Sequence, residues 1–338
     1  MQSKRRRILL TGASLMALHP FSHGQESADA YPSHTIRFVA PFPAGSVFDA
    51  VGRKIADALS TRLKAAVVID NKAGAGGALG AVEVLRSAPN GYTLLLTIAD
   101  PLVTTPATMK VSYDPRADFT PIVKLARSYP LLLIHPSYKS TTLKELAEEA
   151  RAARAPLTYG SFGTGSFPQL VLESVAGKAG VKLSNVPYRG TPAALNDMLA
   201  NQITLAFTSV GQAAPLIAQG KARALAIMGP ARSPVLPQVP TFAESGFDNF
   251  FTRRDSWLGL FGPAKLPPEL VEKLRSHLRA VMQDPEMAKW LATLDMTSDP
   301  GGSTAQLRAE IDTEVQTVTQ FIRDELKVRP QELGDLQR

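Results

Sequence analysis

The stretch that decides the fold is "TIRFVAPFPAGSVFDAVGRKIADALSTRL", residues 35–63. An apolar run typical of a strand leads into an elbow with two prolines, a glycine and a serine, and the pattern that follows predicts a helix over 49–63. The elbow contains no His, Cys or Lys. Backbone N–H groups at a helix start still attract anions, because they lack acceptors within the helix and the peptide dipoles are aligned. The elbow is therefore a candidate anion site with Asp49 as a candidate N-cap, and an ordinary loop between a strand and a helix is the open alternative.

The same unit recurs along the chain. A β-rich run followed by a Gly/Pro/Ser loop and a helical pattern is found in "AAVVIDNKAGAGG" (65–77), "LLLIHPSYKSTT" (131–142) and "LTYGSFGTGSF" (157–167). This alternation predicts an α/β fold with mainly parallel sheets. In such sheets ligands bind along the edge where the strands end, so we expect the elbows to meet at one cleft.

Two further loops resemble the first elbow in composition. The stretch "YGSFGTGS" (159–166) combines three glycines with the hydroxyl groups of Ser161, Thr164 and Ser166, and "VPYRGTPAA" (186–194) adds another elbow. N–H and O–H donors in such loops can surround a small carboxylate. A flexible surface loop is the alternative for 159–166. The glycines of "NKAGAGGALG" (71–80) have G-x-G-x-x-x-G spacing, which departs from the dinucleotide-binding fingerprint and argues against a nucleotide cofactor.

The first thirty residues have the layout of a secretory signal. Basic residues at 4–7 precede an apolar stretch over 8–18, which is about half the roughly 20 residues that a membrane span needs. The run "RRRILL" also resembles a twin-arginine export signal. Cleavage is expected after Gly24 or after the A-x-A site that ends at Ala30. The sequence therefore predicts an exported, periplasmic protein.

Composition and motifs exclude several classes of protein. The 338 residues carry a formal net charge of +7 without a dense Lys/Arg run, which argues against nucleic acid as a partner. The absence of cysteine excludes a disulfide framework, a thiolate metal site and a cysteine nucleophile. The sequence contains no G-x-S-x-G, P-loop or H-E-x-x-H motif, and beyond the first thirty residues its histidines are only His34, His135 and His277. We therefore expect no enzyme, cofactor or metal, and an exported hydrolase that uses Ser161 or Ser166 is the remaining alternative.

Taken together, the blocks of the chain resemble those of the tripartite tricarboxylate transporter substrate-binding proteins, the Bug family. The resemblance runs from about residue 35 to the C-terminus, and it is carried by "PFPAGSVFD", "VVIDNKAGAGGALGAVEVLRSAPNGYTLLL", "SYDPRADFTPI", "YGSFGTGS", "VPYRGTPAAL", "GKARALAIMGPARSPVLPQVPTFAESGF" and "WLGLFGPAKLPPELVEKL". It implies a two-lobed Venus flytrap fold in which the chain crosses between lobes near Tyr129 and Pro240. The implied divisions are an export signal at 1–30, the first part of lobe 1 at 31–130, lobe 2 at 131–239, and the second part of lobe 1 with C-terminal helices at 240–338.

The resemblance also implies a function. Such a protein captures a small organic carboxylate in the cleft between its lobes and delivers it, without catalysis, to a membrane permease. We expect a monomer, and a ligand-sensing role in a signalling system is the alternative. By position in the family motifs, the implied ligand-binding residues are Phe42, Ala44, Gly45, Ser46, Phe48, Asp49, Ser161, Phe162, Gly163, Thr164, Gly165, Ser166, Tyr188, Arg189, Gly190, Phe207, Thr208 and Trp257.

The chain departs from the family pattern at five of these or neighbouring positions. Residues of different size or polarity stand where the family usually has glycine, a small residue or aspartate, namely at Ser46, Phe48, Phe162, Phe167 and Thr208. Aromatic rings make favourable contacts with other rings, so the phenylalanines favour an aromatic or otherwise apolar carboxylate. Packing of these rings in the lobe cores is the alternative. Arg189 and Arg253 are candidates to pair with a second acidic group of the ligand.

Overall fold

The computed structural model describes residues 30–324 and residue 326, so the predicted export signal lies outside the described residues except for Ala30. The strands are β1 (Ile36–Ala40), β2 (Val67–Asn71), β3 (Thr93–Ile98), β4 (Phe119–Ser128), β5 (Leu131–Ile134), β6 (Leu157–Ser161), β7 (Leu183–Pro187), β8 (Leu205–Thr208), β9 (Arg223–Ile227), β10 (Ser256–Pro263) and β11 (Met296–Ser298). The helices are α1 (Val47–Leu63), α2 (Ala78–Leu85), α3 (Thr104–Thr108), α4 (Leu143–Ala152), α5 (Phe167–Ala179), α6 (Thr191–Leu199), α7 (Val210–Ala218), α8 (Phe250–Arg253), α9 (Pro268–Met282), α10 (Pro285–Thr293) and α11 (Thr304–Asp324). Short 3-10 turns follow β2 and β3.

The strands form two sheets. One has the order β11-β4-β10-β3-β1-β2 and the other the order β7-β6-β8-β5-β9. The chain leaves the first sheet after Ser128, enters the second at Leu131, and returns between Ile227 and Ser256. Since the sheets divide there, we propose that the described residues of 31–130 and 240–338 form one lobe and that 131–239 form the other.

Both sheets are mixed rather than mainly parallel, which corrects the strand directions expected from the sequence. Strand β1 is parallel to β2 and β3, and β6 is parallel to β7 and β8. Strand β10 is antiparallel to β3 and β4, and β5 is antiparallel to β8 and β9. Each of these two strands is the first to enter its sheet from the other lobe. Parallel neighbours are normally joined by a crossover helix within one sheet. A strand that enters from the other lobe lacks this connection, so it need not be parallel to its neighbours.

The C-terminal helices pack on the first sheet, as their apolar spacing predicts. Helix α9 buries Leu274 and Leu278, and α11 buries Leu307, Ile311 and Ile322. The α/β class and the packing role of these helices are therefore confirmed. None of the helices in the described part of the chain is both long and apolar enough to cross a bilayer.

Candidate functional site

The first elbow ends in a helix start that differs in detail from the expectation. Helix α1 begins at Val47, and its N-cap is Ser46 rather than Asp49. The Ser46 hydroxyl accepts the amide of Asp49 at 3.2 Å, and the Asp49 carboxylate accepts the amide of Gly45 at 3.0 Å. The two side chains thus satisfy N–H groups reciprocally, in the manner of a capping box. A serine side chain can reach the amide three residues on, which makes Ser46 the better cap.

Hydrogen bonds of the Asp49 carboxylate hold the first elbow in its shape. Its carboxylate also accepts Arg53 Nε at 3.1 Å and Asn71 Nδ2 at 3.0 Å, and Asn71 Nδ2 also donates to the carbonyl oxygen of Phe42 at 3.1 Å. Burial raises the pKa of Asp49, but the hydrogen bonds from Arg53, Gly45 and Asn71 outweigh it, so the pKa lies below its ordinary value. Asp49 does not line the cleft, so its position suits a residue that shapes the loop.

We expect replacement of Asp49 by Ala to lower the free energy of unfolding by about 2 kcal/mol, because a helix cap and charged hydrogen bonds are lost together. A carboxylate with a lowered pKa stabilises the fold above its unfolded pKa, and this contribution disappears as the pH falls through the folded value. Urea unfolding at pH 7 and at pH 3 measures both effects. The difference between wild type and Asp49→Ala should shrink at the lower pH, and an equal difference at both would contradict the ionic part of the argument.

The second loop is held by a similar network. Ser166 is the N-cap of α5, and its hydroxyl accepts the amide of Phe162 at 3.1 Å and donates to the carbonyl oxygen of Gly163 at 2.8 Å. The amide of Gly165 donates to Gln169 Oε1 at 2.7 Å. The loop is therefore internally bonded, which makes it a preformed surface rather than a flexible one.

Glycines in the second and third loops approach the opposite lobe closely. Gly165 has φ +77°, and a Cβ atom there would lie 1.8 Å from Thr108 Oγ1 in α3. A Cβ on Gly190 would lie 2.6 Å from Cγ of Pro43 in the first elbow. Both contacts require the absence of a side chain. The structure therefore has its two lobes in contact at two places.

Between the lobes lies a cavity of about 230 Å³. Eleven of the residues predicted from the sequence line it: Phe42, Ser46, Phe48, Phe162, Gly163, Thr164, Tyr188, Arg189, Gly190, Phe207 and Thr208. Seven do not: Ala44, Gly45, Asp49, Ser161, Gly165, Ser166 and Trp257. Contact with a ligand remains a prediction for all eighteen positions.

Trp257 does not line the cavity, and its side chain lies in the hydrophobic core. Its side chain is 1% exposed, and Nε1 donates to Glu314 Oε1 at 3.2 Å. The guanidinium of Arg254 donates to the same carboxylate at 2.8 Å, so the tryptophan helps to attach α11 to β10. Arg253 pairs with the exposed Asp248 and does not line the cavity either.

A chain of phenylalanine rings forms much of one wall. Ring centroids are 5.5 Å apart for Phe162 and Phe167, and 5.4 Å for Phe167 and Phe207, both in edge-on arrangements. Across the cleft, Phe48 packs 6.2 Å from Phe42. These rings line the cavity and contact the lobe cores at the same time. Contact with a ligand and packing in the lobe cores are therefore compatible roles for these phenylalanines.

Sequence reasoning missed two parts of the wall. The glycine loop 74–77, considered only as a nucleotide motif, lines the cavity, and so does Asp100 in the turn after β3. Both loops follow strands that end at the same sheet edge, which is the signal that could have placed them there. Asp100 and Arg189 are the only charged residues that line the cavity within the described part of the chain.

The chain is similar to known proteins in both sequence and structure. A family model described as the tripartite tricarboxylate transporter family receptor matches residues 51–328. A solved structure of the periplasmic binding protein BugD is 29% identical, with a TM-score of 0.81 over 87% of this chain and 98% of that chain. Rpa4515 of R. palustris, solved with adipate, is 28% identical, with a TM-score of 0.81 over 87% and 97% of the two chains. MatC from Rhodopseudomonas palustris, with bound malate, is 27% identical, with a TM-score of 0.80 over 86% and 100%. The two-lobed binding-protein fold is thereby confirmed.

Proposed function

Since the chain belongs to the tripartite tricarboxylate transporter receptor family, we propose that it captures a small organic carboxylate between its lobes in the periplasm and delivers it to a membrane permease. The observation that carries this proposal is the cavity between the lobes, which the first elbow and the second loop line from opposite sides. The similar proteins Rpa4515 and MatC were solved with adipate and malate, which are both carboxylates. These matches support the same ligand class for this chain.

The proposed position of the carboxylate is at the first elbow. The side chains of Ser46 and Asp49 take up the amides of Asp49 and Gly45, whereas no acceptor within the described residues is recorded for the amides of Val47 and Phe48. Both of these residues line the cavity. Unpaired N–H groups in the first turn of a helix favour an anion, which explains how the elbow can bind one without a cationic side chain.

Capture is coupled to closure in this proposal. A ligand that contacts both lobes binds the closed form better than the open form, and the difference in affinity shifts the equilibrium towards closure. The contacts of Gly165 with Thr108 and of Gly190 with Pro43 then define how far the lobes can approach. The closed form is the one presented to the permease.

The site favours binding over catalysis. The Ser166 hydroxyl is used within its own loop, and Ser161 Oγ accepts the amide of Gly163 at 3.3 Å. Among the described residues neither hydroxyl has a hydrogen bond to a histidine or carboxylate that could act as a base. We therefore propose a non-catalytic, monomeric, exported receptor.

We further propose that the ligand is an aromatic or otherwise apolar carboxylate. The phenylalanine wall supports this, because a ring against it gains apolar burial together with edge-on contacts. Thr208 donates its hydroxyl to Gln212 Oε1 at 3.0 Å and offers no negative charge to a ligand amino group.

Competition calorimetry tests the ligand class. The full-length chain is expressed, the periplasmic fraction is purified, and N-terminal sequencing checks that the signal has been removed. Benzoate and its ring-substituted analogues are then compared with succinate, citrate and glutamate. We expect the best aromatic acid to bind at least about tenfold more tightly than the aliphatic acids. A tenfold difference in affinity corresponds to about 1.4 kcal/mol, which one or two contacts between aromatic rings can supply. Tighter binding of an aliphatic hydroxy acid or amino acid would contradict the aromatic assignment and leave the carboxylate class standing.

A further inference from the structure

Two buried serines lie opposite each other at one end of the first sheet. Ser128 is the last residue of β4 and Ser256 is the first of β10, and the antiparallel register pairs them directly. Their exposed fractions are 4% and 8%, and both residues line the cavity. Directly opposed residues of antiparallel strands have Cβ atoms about 4.5–5.5 Å apart. The two hydroxyl groups therefore form one polar patch, which we call the serine pair.

Strand alternation explains why these serines line the cavity and the neighbouring tryptophan does not. Successive residues of a strand point to opposite faces of the sheet. Trp257 packs in the hydrophobic core. Leu258 lies two residues after Ser256 and hence on the same face, and its register partner Ile98 in β3 also lines the cavity. Strands β3, β10 and β4 therefore contribute one continuous surface to the cavity at this end of the sheet.

The serine pair has hydrogen-bonding capacity that the protein itself does not use. Neither hydroxyl group has a hydrogen-bond partner among the residues that the structure describes. Both oxygen atoms are reachable from the cavity, because neither is among the fully enclosed side-chain atoms that lack a partner. Ser46, Tyr188 and Thr208 also line the cavity, but their hydroxyl groups are bonded within the protein. A buried polar group without a partner costs free energy, so the serine pair is suited to a polar group of the ligand.

The serine pair lies well away from the proposed position of the carboxylate. That position is in the elbow after β1, and the strands that follow β1 on this side of the sheet are β3, β10 and β4 in that order. Neighbouring strands are about 4.8 Å apart, so β10 lies about 10 Å from β1. Among the described residues Arg189 is the only basic one that lines the cavity, and the adjoining Gly190 lies against Pro43 of the elbow. The serine pair therefore offers donors and acceptors without a charge of its own.

We propose that Ser128 and Ser256 are specificity-determining residues that bind a hydroxyl group at the end of the ligand remote from its carboxylate. The inference rests on the proposed function, because it concerns which carboxylates the same cavity prefers. A ligand hydroxyl can donate to one serine oxygen and accept from the other, which satisfies all three groups. A second carboxylate could only accept, and its charge would be poorly compensated by two neutral hydroxyl groups. The receptor thus selects distally hydroxylated acids over unsubstituted acids of the same skeleton.

Calorimetry with hydroxylated and unsubstituted acids tests this directly. Benzoate is compared with 4-hydroxybenzoate and 2-hydroxybenzoate, and hexanoate with 6-hydroxyhexanoate, for wild type, Ser128→Ala, Ser256→Ala and the double variant. We expect wild type to prefer the distally hydroxylated acid of the skeleton that it binds by about tenfold, the size of two neutral hydrogen bonds. In 2-hydroxybenzoate the hydroxyl group is beside the carboxylate, so this acid should not share the preference. Each single variant should lose part of the preference and the double variant nearly all of it.

Ser298→Ala is the matched control for these variants. Ser298 lies on β11 of the same sheet, does not line the cavity and donates to the carbonyl oxygen of Met282 at 2.7 Å, so its loss should keep the wild-type preference. Thermal melting checks that the variants fold, and the single variants supply the answer if the double variant does not.

Each remaining outcome decides a separate statement. If wild type binds none of these acids, the proposed function fails and this inference fails with it. If wild type shows no preference for a distal hydroxyl group, or if the serine variants weaken hydroxylated and unsubstituted acids equally, the inference is wrong while carboxylate capture stands. Terephthalate is measured as well, and a tighter binding of it than of 4-hydroxybenzoate, lost in the serine variants, would assign the serine pair to a second carboxylate and overturn the inference.

Discussion

Replacement of Gly165 by Ala is expected to prevent closure of the lobes and to weaken ligand binding by about a hundredfold or more, because contacts with the second lobe are lost. The added Cβ atom would lie 1.8 Å from Thr108 Oγ1 and 2.2 Å from Thr108 Cβ. These distances are far below any van der Waals contact, so one of the two lobes has to move away. The open form does not contain this contact, so the protein should still fold.

Gly180→Ala is the matched control for this variant. Gly180 is the C-cap of α5 with φ +64°, so alanine there has the same kind of backbone strain, but a Cβ atom would meet nothing within 4 Å and the residue does not line the cavity. Calorimetry with the best acid and small-angle scattering with and without it measure affinity and closure. The control should keep most of its affinity and its ligand-induced compaction. Compaction of Gly165→Ala equal to that of wild type would contradict the steric argument.

A second substitution at the contact partner sharpens the test. Thr108→Ala would leave a Cβ atom 2.2 Å from the new methyl group, so it should not restore binding to Gly165→Ala. Thr108→Gly removes that Cβ atom and should restore part of the ligand affinity of Gly165→Ala. A glycine at the end of a helix costs about 1 kcal/mol of stability, which the melting temperature of the single variant Thr108→Gly would report.

Local sequence patterns were sufficient for the parts of the site that are made by one continuous segment. The elbow around Ser46 and the loop around Gly163 each consist of a strand end, a glycine and a helix start, and both line the cavity. The pattern also places every such loop at a sheet edge, so convergence follows from topology. The sequence predicts Asp49 as the N-cap, whereas the N-cap is Ser46. The two residues are close in role, because their side chains take part in the same capping arrangement.

Features that depend on two distant segments could not be derived in this way. The sequence predicts Trp257 as a ligand contact but not its hydrogen bond to Glu314, which lies 57 residues along the chain. The close approach of Gly165 to Thr108 likewise joins opposite lobes. The antiparallel entry of β5 and β10 depends on how the chain returns from the other lobe. Periodicity and composition describe neighbours in sequence and carry no information on such pairs.

The hydrogen bond between Trp257 and Glu314 belongs to a contact with a large expected effect on stability. Glu314 on α11 accepts Arg254 Nη2 at 2.8 Å and Trp257 Nε1 at 3.2 Å, and the side chain of Arg254 is only 6% exposed. Removing Glu314 leaves the buried Arg254 guanidinium without its hydrogen-bonded acceptor, and breaking a buried pair in this way costs about 3–5 kcal/mol. We therefore expect Glu314→Ala to lower the free energy of unfolding by that amount in urea titrations.

Two further variants separate charge from packing in the same helix. Glu310→Ala removes an acid one turn earlier, but Glu310 is exposed and its partner Lys124 keeps Asp299 at 4.0 Å, so the expected loss is below about 1 kcal/mol. Glu314→Gln keeps an oxygen that can accept Trp257 Nε1 and removes only the negative charge. If the loss of the ion pair with Arg254 dominates, Glu314→Gln should lose most of the stability that Glu314→Ala loses. A loss for Glu314→Gln as small as that for Glu310→Ala would show instead that the tryptophan hydrogen bond, and not the ion pair, attaches α11 to the returning strand.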